Sequence, residues 1–230
     1  MKKTAILLLT AAGLAIAAPA QAQMYWRIDA GLSLPNKADF KDKDFYNAGV
    51  MWSGSSYPPE AGTVNKIDGS IVFGAGVGYR FASGLRGDVT LAYRPLYTLD
   101  GTLDDSGLNV SYRADITSMT LMVNAYYDFT AGGVRPYIGA GVGYAQNKTE
   151  TLIQDFGLGF QNTFSGATKD NTAFALMAGV GIPYSSGTLD IGLRYMDMGK
   201  FETGNSAALG ITSGQSGKLS AYEFTVGARF

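Results

Sequence analysis

The 230-residue chain contains no cysteine and no histidine. Without cysteine, no disulfide holds the fold and no thiolate can act as nucleophile or metal ligand. Without histidine, the usual general base near neutral pH is missing, and a serine nucleophile has no imidazole partner. A Ser–Lys or carboxylate pair stays open chemically, but no spacing points to one; neither catalysis nor a cofactor nor a metal is expected. A basic excess is also lacking: 18 Lys plus Arg face 19 Asp plus Glu, which is not the balance of a nucleic-acid binder. Beyond residue 20 no apolar run approaches the ~20 residues that a membrane helix needs.

The one apolar run stands at the start. Lys2 and Lys3 precede sixteen residues, AILLLTAAGLAIAAPA, and Ala20-Gln21-Ala22 has the small-residue pattern of a signal-peptidase site. The run is short for a span and diluted by Ala, Gly, Thr and Pro, so cleavage is expected in preference to a retained helix. The expected division is a signal peptide at 1–22 and a single domain at 23–230. Without Lys2 and Lys3, 18 basic residues become 16 against 19 acidic, a net charge of −3.

What fills the remainder is alternation. Residues 222–230 read YEFTVGARF: Tyr222, Phe224, Val226, Ala228 and Phe230 are apolar, and Glu223, Thr225, Gly227 and Arg229 are polar, charged or small. That is strict period two, ending on an aromatic residue. A secreted sandwich also alternates, but a membrane barrel alone makes use of an apolar outer face carried to an exposed terminal Phe. Similar segments recur at about 24–34, 67–81, 85–97, 111–129, 135–146, 171–184 and 188–198, with the closing strand from 218. The fold class predicted is all-β, an eight-stranded antiparallel up-and-down transmembrane β-barrel. Short turns at 82–84, 132–133 and 185–187 alternate with long loops at 35–66, 98–110, 147–170 and 199–217, placing the turns in the periplasm and the loops outside. Trp26, Phe81, Phe129, Tyr184 and Phe230 fall at the periplasmic ends of their strands, and Tyr93, Tyr144 and Tyr195 towards the other ends, as two aromatic girdles would.

GAGVGY occurs at 74–79 and at 139–144, with an AGVG echo at 178–181. A dinucleotide fingerprint needs GxGxxG between a strand and a helix, whereas these glycines are spaced GxGxG within strands. At i, i+2 and i+4 they share one face, the lumen, where little room is available.

The inward positions carry charge: Arg27, Asp29, Asp68, Arg80, Arg86, Asp88, Arg94, Asp128, Arg135, Asp190, Arg194, Glu223 and Arg229. Facing lipid, each would cost about 2–4 kcal/mol near the midplane. In a narrow interior they must pair, so an interlocked network that plugs and stiffens the barrel is expected; ion selection is the alternative.

VRPYIGAGVGYA (134–145), VNAYYDF (123–129), LDIGLRYMDMG (189–199) and the terminal YEFTVGARF make the chain resemble the small OmpA-like eight-stranded outer-membrane barrels, particularly the surface antigens of alphaproteobacteria. The resemblance implies an outer-membrane address, contact with membrane lipid and lipopolysaccharide, and delivery to the barrel-insertion machinery through a signal containing Tyr222, Phe224 and Phe230. It covers the span expected to be mature, without the separate peptidoglycan-binding domain of full-length OmpA. Enzymes among outer-membrane barrels use a site histidine, which this chain lacks. OmpW-like barrels share the architecture and would imply passage of small apolar compounds.

Function is then expected in the loops or the lumen. The first loop mixes Phe40, Phe45, Tyr46, Trp52 and Tyr57 with alternating Lys and Asp. Phe45, Tyr46, Trp52 and Tyr57 would form a binding surface for a host or surface ligand, or pack among the loops and headgroups. Asp39, Asp42 and Asp44 lack the spacing of a calcium loop and read as a solvated charge run. In the third loop LIQDFGLGFQNTF (152–164) alternates in part and would raise strands five and six above the membrane, as in OmpX-like barrels. The reading favoured is a structural and surface-interactive role in envelope integrity, adhesion or host recognition; the alternative is a narrow channel for small or apolar solutes.

Overall fold

The computed structural model describes residues 23–36, 41–43, 64–105, 108–155, 157, 159–206 and 214–230. The segment 1–22 therefore lies outside the described residues, as do Phe45, Tyr46, Trp52, Tyr57, Asp39 and Asp44. Eight strands form the ring: β1 (Gln23–Pro35), β4 (Ser70–Arg80), β5 (Leu85–Asp105), β6 (Leu108–Asp128), β7 (Arg135–Thr149), β10 (Ala167–Tyr184), β11 (Gly187–Glu202) and β12 (Gln215–Arg229). Four short strands decorate its outer end: β2 (Lys41–Asp42), β3 (Val64–Ile67), β8 (Leu152–Asp155) and β9 (Gln161–Phe164).

Every neighbouring pair is antiparallel, and β1 closes the ring on β12, from Arg27 opposite Arg229 to Pro35 opposite Ala221. Trp26 and Phe230 complete the seam by exchanging two backbone hydrogen bonds, 2.8 and 3.0 Å. A closed ring leaves no ladder edge facing lipid, which is the condition for a sheet to cross hydrocarbon.

Alternation sets which face is wet. Ile28, Leu32, Leu176, Leu193 and Phe224 point outward and are 56, 53, 64, 62 and 48% exposed. Such a belt is untenable in water and is stable in lipid. At one end the connections are tight: Gly84 (φ 83°) turns between β4 and β5, and Gly132 and Gly133 (φ 53° and 93°) turn between β6 and β7.

At the other end the strands outrun the sequence expectation. Residues 98–110, expected as a loop, continue β5 to Asp105 and restart β6 at Leu108. The register explains the difference. Arg94 faces Ser118 but Tyr97 faces Ile116, so one extra residue sits in β5 at Pro95–Leu96. A bulge of this kind reverses strand parity, and apolar Tyr97 and Leu99 turn inward while Asp100 faces out. In β11 a second bulge lies between Asp197 and Lys200, with Gly199 at φ 76°. Asn171 staples it, accepting from Lys200 N at 3.0 Å and donating to Lys200 O at 2.8 Å. In the third loop 152–164 folds as the hairpin β8–β9, which continues the β7–β10 pairing in the same register (Ala167 opposite Thr149, then Phe164 opposite Leu152). The hairpin runs on along β6 through Ser111–Arg113, so strands five and six are carried upward.

Candidate functional site: a filled lumen beneath a raised rim

The periplasmic half of the lumen is ionic. Glu223 on β12 accepts from Arg94 Nε at 2.5 Å, Arg194 Nε at 2.6 Å and Ser33 Oγ at 2.9 Å. Arg94 lies across the barrel on β5, so this carboxylate ties four strands, β12, β5, β11 and β1, through the lumen. Asp88 accepts from Tyr25 OH at 2.9 Å, Arg27 Nη1 at 3.2 Å and Asn124 Nδ2 at 2.8 Å. Arg229 holds Asp190 with two bonds of 2.5 and 2.8 Å, and Arg86 holds Asp128 at 3.1 Å with its guanidinium 4.0 Å above the Tyr126 ring. Asp29 sits between Arg27 (3.1 Å) and Arg194 (3.8 Å).

The glycine motif gives this network its space. Tyr25 lies opposite Gly78 and Tyr126 opposite Gly139, and a Cβ on either glycine would run into the facing ring. The two phenols thus reach the Arg27–Asp88 centre because their partners have no side chain.

Of the thirteen inward charges expected, three stand apart. Asp68 is not in the lumen: residues 68 and 69 interrupt the sheet between β3 and β4, and its carboxylate pairs with Lys66 on the outside, both side chains well exposed. Among the described residues Arg80 reaches only Asp128, at 3.5 Å, and Arg135 makes no ion pair; both lie at the periplasmic mouth.

Sequence reasoning missed the upper half. There apolar side chains dominate the interior: Tyr97, Leu99, Ile116, Leu152, Phe164, Met198, Phe201 and Leu219 have no exposure, with buried Ser118 and Asn147 hydrogen-bonded beside Met198 and Thr203 bonded to Gln215. Each of the eight ring strands places at least one fully covered side chain inside, among them Ser33, Val72, Arg94, Thr120, Ala145, Ala173, Met198 and Ala221. A lumen that admitted water would expose some of these surfaces. The signal that could have found this layer was Pro95, which disfavours a regular central strand and marks the bulge.

Above the belt the strands invert. Leu96 is the last lipid-facing apolar side chain of β5 and Met119 the first of β6; beyond them Asp100, Thr102, Ser111 and Arg113 face out. Nine residues of β5 rise past that level, roughly 25–30 Å of strand. Among the described residues β9 is laddered only to β8, while Ser206 Oγ donates to Asn162 on β9 and Ser165 just past it exchanges backbone bonds with Gly204 and Asn205; Phe160 beside the strand is 72% exposed.

Across the rim, Glu202 takes Lys43 at 2.6 Å and Lys169 at 2.8 Å. Partial burial opposes its charge, but hydrogen bonds from the two lysines outweigh that and hold the carboxyl below its usual range. A depressed folded pKa contributes stability above the unfolded value of 4.5 and loses it as pH falls through the folded one. Amide protection of residues 199–204 is therefore expected to drop on acidification below about pH 4, and Glu202→Gln to flatten that response; hydrogen exchange at pH 6 and pH 3 measures it.

A closed antiparallel ring, apolar outside and charged within, defines an integral membrane β-barrel. The chain belongs to the outer membrane protein β-barrel family: the family profile, described as "Outer membrane protein beta-barrel domain", matches residues 5–230. It is an outer-membrane protein. It is similar to an uncharacterized protein of Brucella abortus, 31% identical over 204 residues, covering 77% of this chain and 69% of that one. It is similar to outer membrane protein PagN of Salmonella typhimurium, 33% over 145 residues (56% and 59%), and to a candidate adhesin of Rickettsia typhi, 28% over 222 residues (90% and 87%). In fold it matches outer membrane protein OprG of Pseudomonas aeruginosa, with TM-score 0.57 at 17% identity, covering 92% of this chain and 96% of that one.

Proposed function

We propose that this barrel is a non-catalytic surface-interaction protein, an adhesin-like module whose lumen is structural and whose working part is the raised rim. The observation that carries the reading is the inversion along β5 and β6. The same strands that bury charge inside the membrane bury apolar side chains above it and turn a polar face to the surroundings. That raised sheet covers the upper part of the apolar cluster and, among the described residues, ends in β9 laddered on one side only, the kind of strand that can pair with a partner. Relatives named as an outer membrane protein and an adhesin support the same reading. The filled interior speaks against the channel alternative.

Cleavage after Ala22, insertion guided by Tyr222, Phe224 and Phe230, and contact with lipopolysaccharide belong to the proposal. So does an aromatic ligand surface formed by Phe45, Tyr46, Trp52 and Tyr57. Expression in a non-adherent Gram-negative host is expected to raise attachment to epithelial monolayers, and excision of residues 152–164 to return it to the vector level while the barrel stays heat-modifiable on gels. Attachment equal to vector with the intact protein, or unchanged after excision, would reject the rim as the interacting part.

A further inference from the structure

The periplasmic mouth holds a cationic cavity that neither the plug nor the rim requires. It has a volume of about 330 Å³ and is lined by Arg80, Arg135 and Arg229 together with Tyr25, Ser186 and Thr188; no acidic side chain lines it. The carboxylates beneath are already engaged. Asp190 takes both short bonds from Arg229, and Asp128 takes Arg86 at 3.1 Å, which leaves Arg80 at 3.5 Å and Arg229 Nη1 at 3.7 Å from the same oxygen. Among the described residues Arg229 Nη1 is buried without a hydrogen-bond partner, and Arg135 has no ion pair. Arg80, Arg135 and Arg229 thus share a mouth whose nearest acidic side chains, Asp128 and Asp190, are already bonded, with the backbone end of Phe230 beside them. Like charges held this close raise the energy of the mouth unless something neutralises them.

We infer that the mouth is a binding site for a phosphate-class oxyanion. Planar guanidinium forks match such an anion bidentately. The hydroxyls of Ser186 and Thr188 line the same cavity and supply further donors. Two sources share this chemistry at the periplasmic face: the headgroup of an inner-leaflet phospholipid and a soluble phosphate.

The test is thermal unfolding of the refolded barrel in a phosphate-free maltoside detergent, titrated with inorganic phosphate against chloride at matched ionic strength. At concentrations about tenfold above Kd, Tm is expected to rise by roughly 3–6 °C with phosphate only. The Arg80→Gln/Arg135→Gln double variant is expected to lose the rise and, without phosphate, to melt no lower than the parent, since like-charge repulsion has been relieved. Arg113→Gln on the rim is expected to keep it. No rise in the parent, an equal rise with chloride, or a rise preserved in the double variant would overturn the site. Phosphatidylglycerol in the micelle supplies the second arm. A rise with lipid that added phosphate no longer increases assigns the site to a headgroup, and a rise with phosphate but not lipid assigns it to a soluble ligand.

Discussion

Replacing Glu223 by Ala is expected to destabilise the barrel by about 3–5 kcal/mol, the loss seen when one partner of a buried ion pair is removed. The Glu223 and Arg94 side chains have no exposure, and Arg194 has 8%. With the carboxylate gone, Arg94 keeps a 3.2 Å bond to Thr120, and Arg194 keeps only Asp29 at 3.8 Å. Two guanidinium groups would be left in a dry interior with most of their donors unmet. Urea-dependent unfolding in lipid vesicles, followed by tryptophan emission and by the mobility shift of unheated samples, measures the loss.

The sign of the effect depends on removing one partner and not all three. In the triple variant Glu223→Leu, Arg94→Met and Arg194→Met the desolvation cost disappears with the charges, and near-native stability is expected. Arg27 continues to hold Asp29 at 3.1 Å in that variant. A single Glu223→Ala change costing under about 1 kcal/mol, the range of an exposed pair, would mean that water reaches the network. The lumen would then not be closed at this level.

The ring was legible because lipid imposes one rule on every strand: a residue facing out must be apolar. β12 obeys it over its last nine residues, and β10 from Phe174 to Tyr184. The same rule forced Arg and Asp inward, so most members of the network could be named, although not their partners. Which Arg meets which carboxylate depends on barrel shear, and Arg94 reaching Glu223 spans 129 positions of sequence. The rule ends at the membrane boundary. Past Leu96 the outer face is polar and the inner face mostly apolar, and one inserted residue at Pro95–Leu96 shifts the phase, so residues 98–105 fell out of step with the strand below and read as loop. Asp68 failed for a related reason: it follows Ile67 in what reads as one strand, but the pairing of β3 and β4 on β5 is interrupted at 68–69, opposite the bulged stretch of β5, so Ile67 turns inward and Asp68 out.

The refolded protein is expected to be electrically silent in planar bilayers, because two different seals lie in series along the lumen. Lower down, charged side chains interlock; a passing ion would have to break bonds such as those of Glu223 and replace their energy with its own. Higher up, Tyr97, Leu99, Met198, Phe201 and Leu219 meet without accessible surface. An apolar constriction too narrow for water excludes ions by the full cost of dehydration. Resistances in series add, so opening one seal leaves the other in control. Phe201→Ser with Leu219→Ser is therefore expected to stay silent, and Arg94→Ala with Glu223→Ala, which clears the bond across the lumen and leaves Arg194 to Asp29, is expected to stay silent as well. Combining the four changes is expected to produce step-like openings in protein that still migrates as a folded barrel. Steady conductance in the parent, or from either pair alone, would show that a single layer governs passage and would restore the channel reading. Silence from the folded combined variant would place a third barrier above the belt, where Leu152 and Phe164 of the β8–β9 hairpin are also fully covered.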